Sequence, residues 1–181
     1  MFSEFYFLIE GNTDERFLQR IVEPILRDRY DYIGYYQYAR RPKTKILGFV
    51  RSIVSRQADF LCMTDINTSP CVTARKEHIK RDKLGTLDDS KVLVVRREIE
   101  SWYLAGMDDE CCKRLHLSPC QETESINKER FEQLISGSKL GRTINCMIEI
   151  LKNYDVGVAR SKNKSFDYFH RKHLDLPLIS S

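Results

Sequence analysis

This 181-residue chain has no apolar run approaching the roughly 20 residues that cross a bilayer, so nothing in it reads as a membrane-spanning helix. It has no secretory leader pattern either, since Glu4 and Glu10 bracket the first apolar stretch, which runs directly into a helical pattern. Its six cysteines (Cys62, Cys71, Cys111, Cys112, Cys120 and Cys146) form no CxxC pair. Adjacent Cys111 and Cys112, with Cys120 and His116, suit tetrahedral zinc poorly, so we expect a reduced, zinc-free, cytoplasmic protein. There is no P-loop, no dinucleotide glycine pattern and no Ser-His-Asp order, and His78, His116, His170 and His173 show no ligand spacing. These absences disfavour kinase and classical hydrolase chemistry; His170 and His173 read as surface polar residues. Repeats, low-complexity tracts and linkers are missing too, and the length fits one domain.

Three short apolar runs, by contrast, each lead into an acid. Phe5-Tyr6-Phe7-Leu8-Ile9 stops at Glu10-Gly11, Phe60-Leu61-Cys62-Met63-Thr64 stops at Asp65, and Val92-Leu93-Val94-Val95 leads through Arg96-Arg97 to Glu98 and Glu100. If the runs are strands of one open parallel sheet, their carboxyl ends share an edge, the edge at which ligands of such folds bind. Carboxylates gathered there repel one another unless a cation lies between them, and an oxygen-only ligand set suits magnesium, manganese or calcium. The pattern therefore predicts a metal site, with Gly11 read as freeing the backbone beside Glu10.

Helical spacing fills the intervals. Asn12 or Thr13 can cap a helix whose apolar face is Phe17, Leu18, Ile21, Val22, Ile25 and Leu26, with Pro24 bending its last turn. Residues 32–38 read as a second strand at a sheet edge, and Ile46, Leu47, Phe49, Val50, Ile53 and Val54 as the next helix. A further helix follows Pro70 through about residue 83. The β-α-β-α-β-α-β alternation predicts an α/β fold with a mostly parallel four-stranded sheet flanked by helices. From Ile99 onward the pattern is helical, over 99–107, 108–115, 128–135, 140–154 and 166–174. We expect an α/β core over 1–107 and a helical C-terminal extension over 108–181 packed on the same domain.

The formal net charge of +4 is too small to argue for a nucleic-acid partner by itself. The cations are clustered, however: Arg40, Arg41, Lys43 and Lys45; Arg75, Lys76, Lys80, Arg81 and Lys83; and Arg160, Lys162, Lys164, Arg171 and Lys172. Single clusters of this kind usually mark solvated helix faces, and three of them beside an acidic site would be more informative. Lys45, Arg75 and Lys162 are the expected phosphate contacts, since a substrate backbone needs cations beside an acidic centre.

Glu10-Gly11-Asn12-Thr13-Asp14 together with Asp65-Ile66-Asn67 resembles the TOPRIM domain, the metal-binding module of topoisomerases, primases and OLD-type nucleases. That family carries a glutamate after the first strand and a D-x-D pair after the third; here Asn67 stands where the second aspartate is expected. Arg97-Glu98-Ile99-Glu100-Ser101-Trp102-Tyr103-Leu104-Ala105 and Ser165-Phe166-Asp167-Tyr168-Phe169 are similar to segments of small bacterial TOPRIM-like proteins. The resemblance implies a TOPRIM-like Rossmannoid core, with Glu10 and Asp65 as catalytic metal ligands and Asn67 as a neutral or water-mediated ligand. Glu98 or Glu100 would complete the set. Magnesium or manganese would be the cofactor, one ion being the safer expectation because Asn67 carries no charge, and Glu10 is alternatively a general base. The implied activity is a nuclease or phosphotransfer enzyme acting on nucleic-acid phosphodiesters; the chain has no room for the further domains of topoisomerases and primases. The alternative is a catalytically silent TOPRIM-like interaction or regulatory module of a defence system, partnered by a protein from a neighbouring gene. Asp14, with Arg16 as a candidate ion-pair partner, reads as a helix-capping acid, and Trp102 as core rather than a stacking platform.

Overall fold

A computed structural model of the protein describes residues 2–175. The chain divides into two compact units, the first ending at Val95 and the second beginning at Arg96, so the segment 99–107 that the sequence assigns to the core belongs to the second.

In the first unit, four short β-rich runs become the strands β1 (Glu4–Ile9), β2 (Tyr32–Gln37), β3 (Asp59–Asp65) and β4 (Val92–Val95). All pairings are parallel and the order is β2-β1-β3-β4, which puts β2 at an edge as its composition predicts. The interior strands are buried on both faces and so read as continuous apolar runs rather than alternating ones. Gly34 lies opposite Tyr6 in the β1–β2 register, and a Cβ there would sit 2.5 Å from the Tyr6 ring. The glycine gives the tyrosine its space over the edge strand.

Helix α1 (Asn12–Phe17) passes through a π-helical turn, Leu18–Val22, into α2 (Glu23–Leu26). Pro24 has no N–H to offer the carbonyl one turn back, and the widened turn just ahead of it is where the helix register changes. Helix α3 (Lys43–Ser55) buries Ile46, Val50 and Ile53 and leaves Val54 exposed. Helix α4 (Val72–Ile79) also runs on into a π turn, Lys80–Leu84. Ile46, Val50, Ile53, Ile79 and Leu84 pack with Tyr6, Leu8, Phe60, Cys62 and Val92 into one core layer. Phe7 and Ile9 alternate to the opposite sheet face.

The second unit comprises α5 (Glu100–Ala105), α6 (Asp109–Leu115), α7 (Lys128–Ile135), α8 (Thr143–Lys152), α9 (Val156–Lys162) and α10 (Lys164–Phe169), the last continuing as a π turn, His170–Leu174. Helix α5 packs against α7, α8 and α9. Trp102 is fully buried, stacked on Phe169 and edge-on to Phe166, and its indole N–H donates to Ser165 Oγ at 2.9 Å. Helix α9 is missing from the sequence reading because Gly157 and two valines depress helix propensity. Its signal was the Asp155 cap, whose Oδ1 accepts from Val158 N at 2.8 Å. His170 is buried, contrary to the surface expectation, against the Phe166 ring with Nδ1 3.0 Å from Asp175 Oδ1.

Candidate functional site

The strand order reverses direction between β1 and β3: the chain leaves β1 toward β2, then crosses back to β3 on the other side. A sheet of this kind opens a crevice at that switch point, outside the strands' carboxyl ends. Glu10 follows the last residue of β1 and Asp65 is the last residue of β3, so both stand at this crevice. Glu10 Oε1 lies 3.3 Å from the Asp65 backbone N–H and accepts from it. Residues 55 positions apart in sequence thus meet, through the backbone amide of Asp65 rather than its carboxylate.

The remaining partners of Glu10 were not foreseen. Thr64, buried beneath the rim, donates its hydroxyl to Oε1 at 2.8 Å. Arg75 reaches in from α4, donating to Thr64 Oγ1 through Nε at 3.1 Å and to Glu10 Oε1 through Nη2 at 3.3 Å. Tyr38 has one hydroxyl proton, shared between Met63 O at 2.9 Å and Glu10 Oε1 at 3.2 Å. Burial, then the neighbouring Cys62 and Glu10, push the Tyr38 phenol well above its ordinary range, which keeps it a donor. Every one of these contacts falls on Oε1. Oε2 has no protein hydrogen-bond partner among the described residues, and the Glu10 side chain keeps 30% of its surface exposed.

A cleft of about 500 Å³ opens beside it, lined by Glu10, Gly11, Asn12, Gln37, Arg40 and Arg41. Gly11 is not demanded by backbone geometry: its φ of −163° is ordinary extended chain, and an added Cβ would meet nothing within 4 Å. Its missing side chain instead leaves the cleft open. Gly11 rather than Asn12 or Thr13 is the N-cap of α1, and Asp14 Oδ2 accepts the Gly11 N–H at 2.8 Å, the capping role expected of Asp14.

The other candidates are placed as follows. Asn67 is exposed in a turn at φ +50°, left-handed backbone that asparagine tolerates. Strand β4 ends at Val95 with no acid at its tip, and Arg97 at φ +70° breaks the alternation that would have set Glu98 and Glu100 on one face. Within the second unit, Glu98 accepts the Lys128 N–H at the start of α7, and Glu100 is buried in the first turn of α5. Burial pushes the Glu100 carboxyl above its ordinary range, with the nearby Glu98 charge adding to the rise. Of the three expected phosphate contacts, Lys45 is exposed on α3. Arg75 is turned inward to Thr64 and Glu10, because the buried hydroxyl and the rim carboxylate offer it acceptors. Lys162 donates to Met107 O at 2.6 Å.

Among the described residues, no three His, Cys, Asp or Glu side chains converge as a cation-binding group. Of the five ligands drawn from the sequence, Glu10, Asp65 and Asn67 belong to the first unit and Glu98 and Glu100 to the second. The acids left at the crevice of the first unit are Glu10 and Asp65, and the contact between them is from the Asp65 amide to the Glu10 carboxylate. Compared with protein-family models, curated proteins and solved structures, the chain matches none of them.

Proposed function

We propose that this is a TOPRIM-like phosphotransfer enzyme, a nuclease that hydrolyses nucleic-acid phosphodiesters with one magnesium or manganese ion. The observation that carries the reading is the meeting of Glu10 and Asp65 at the switch point, Oε1 to backbone N at 3.3 Å, beside an arginine-lined cleft. Glu10 through Oε2, and Asp65, would hold the ion, with Asn67 supplying a neutral carbonyl or a water-mediated contact. Bound there, a divalent ion offers Lewis acidity at a phosphoryl oxygen. Thr64 and Arg75 fix the Glu10 carboxylate by occupying its other oxygen, while Arg40 and Arg41 neutralise substrate phosphate. In the alternative arrangement Asp65 would hold the ion and Glu10 Oε2 would instead take a proton from an attacking water.

The test is cleavage of labelled DNA and RNA, single- and double-stranded, in manganese. Wild type should cut and Glu10→Ala should not. Equal activity in the two preparations would remove Glu10 from the chemistry.

A second reading is favoured by the pairing of Glu10 with Arg75 and by the absence of a three-acid group among the described residues. Here the module is catalytically silent, with Arg75 countering the Glu10 charge, and acts as the regulatory component of a defence system. Binding of a protein encoded beside it should then survive Asp65→Ala, and selective loss of that binding would count against a metal-independent adaptor.

A further inference from the structure

Several arginines of this protein are held by carboxylates: Arg27 by Glu23, Arg56 by Glu4, Arg75 by Glu10 and Arg160 by Asp167. Arg40 and Arg41 line the Glu10 cleft, and the basic rim continues from them into Lys43 and Lys45 at the start of α3 and to Lys83, which meets the Arg41 carbonyl. Arg40, Arg41, Lys43, Lys45 and Lys83 make no ion pair with any carboxylate among the described residues.

Two of the basic clusters separated in sequence are joined here. Lys43 Nζ donates to the Arg81 carbonyl, and Lys83 Nζ to the Arg41 carbonyl at 3.4 Å. Neutral carbonyls do not cancel the charge, so the lysines are held in place and remain cationic. Arg41 is likewise steadied without being neutralised, its guanidinium 5.6 Å from the Tyr36 ring centroid, with Tyr36 stacked on Phe49 at 4.0 Å. Lys43 and Lys45 lie in the first turn of α3, which holds no acid, where the helix macrodipole works against a cation. Concentrating like charge in this way is unfavourable for the isolated protein, and an extended polyanion relieves it.

We infer that this rim is the track along which a nucleic-acid backbone reaches Glu10, held through its phosphates and therefore without base-sequence preference. The inference rests on the function proposed above for the identity of the polyanion. Anionic lipid and acidic protein share the charge but not the reason for standing beside the Glu10 cleft.

Binding is measured by fluorescence anisotropy with labelled DNA and RNA oligonucleotides of scrambled sequence in EDTA, where metal-dependent turnover is silent, across about 50 to 200 mM salt. Five phosphate contacts predict a log-log salt slope near about −4.5 for duplex and about −3.5 for single strands. Arg40→Glu with Arg41→Glu should weaken binding at least about tenfold, and the milder pair Arg40→Ala with Arg41→Ala should reduce the slope by about 1.4 to 1.8. Lys43→Ala with Lys83→Ala should act in the same direction. A charge-matched control outside the rim on the same unit, Arg20→Glu with Arg27→Glu, should bind like wild type.

Rim variants that bind like wild type would overturn the inference. So would rim-dependent binding of phosphatidylserine vesicles or polyglutamate with none of the oligonucleotides bound. Failure of the enzyme reading looks different: oligonucleotides bind in a rim-dependent way, yet none is cut in manganese. Cutting that persists unchanged in the rim variants would sink the track alone.

Discussion

Arg75 Nη2 lies 3.3 Å from Glu10 Oε1, and both side chains also hydrogen-bond the Thr64 hydroxyl between them. Breaking a fully buried pair of this kind costs about 3–5 kcal/mol. Glu10 retains 30% side-chain exposure, so we expect Arg75→Met to cost less, about 2 kcal/mol. Thr64→Val should cost about 1–2 kcal/mol by leaving the guanidinium short of an acceptor. Urea denaturation reads both, and a loss under about 0.5 kcal/mol for Arg75→Met would show that the pair does not hold the rim together.

The same threonine orients Glu10 without entering the proposed coordination itself. Titration calorimetry with manganese should give one ion per wild-type chain and none for Glu10→Gln. Thr64→Val should bind the ion about 10–100-fold more weakly, the usual cost of losing a group that orients a ligand. Two ions per chain would contradict the single-ion site, and unchanged affinity in Thr64→Val would remove its orienting role.

Glu100 offers a pH test in the second unit. Its carboxyl is raised mainly by burial, so as pH rises the unfolded chain releases the proton first and the folded state is left holding a group that resists ionising. Stability from this group is therefore present below the ordinary carboxylate range and is lost as pH rises through the raised value. Glu100→Gln should melt at a higher temperature than wild type at neutral pH, with the gap closing in acid. A variant less stable than wild type at neutral pH would mean that the charged form has a favourable partner.

Gly34→Ala should destabilise the first unit by about 1–3 kcal/mol, the range for overpacking a filled site. The new Cβ would lie 2.5 Å from the Tyr6 ring. Tyr6→Leu combined with Gly34→Ala should recover part of the loss, and a melting curve showing no recovery would place the strain elsewhere.

Much of the fold was legible because burial on both faces writes a parallel strand as an uninterrupted apolar run. Phe5 to Ile9 and Phe60 to Met63 are examples, with turn residues marking their ends. That Glu10 and Asp65 fall at one edge of the sheet was legible for the same reason, since parallel strands end on one edge. Glu98 and Glu100 misled because acids that begin a helix look, in one dimension, like acids that end a strand; the left-handed Arg97 between them left no compositional trace. Arg75 was read as a phosphate contact because nothing local marks a guanidinium that is drawn inward. Its acceptor, Thr64, lies 11 positions away on another element.

The order of residues alone determined which segments became strands and helices, and which acids would end the first and third strands, because those outcomes depend on periodicity and on neighbours a few positions away. Tertiary structure alone decided what surrounds Glu10. The strand order β2-β1-β3-β4 put β1 beside β3, and the packing of α3 and α4 on one sheet face brought Lys43 to the Arg81 carbonyl and Lys83 to the Arg41 carbonyl. Charge acts through space, so whether a cation serves as a structural partner or as an open binding group is set by the carboxylates that folding carries near it.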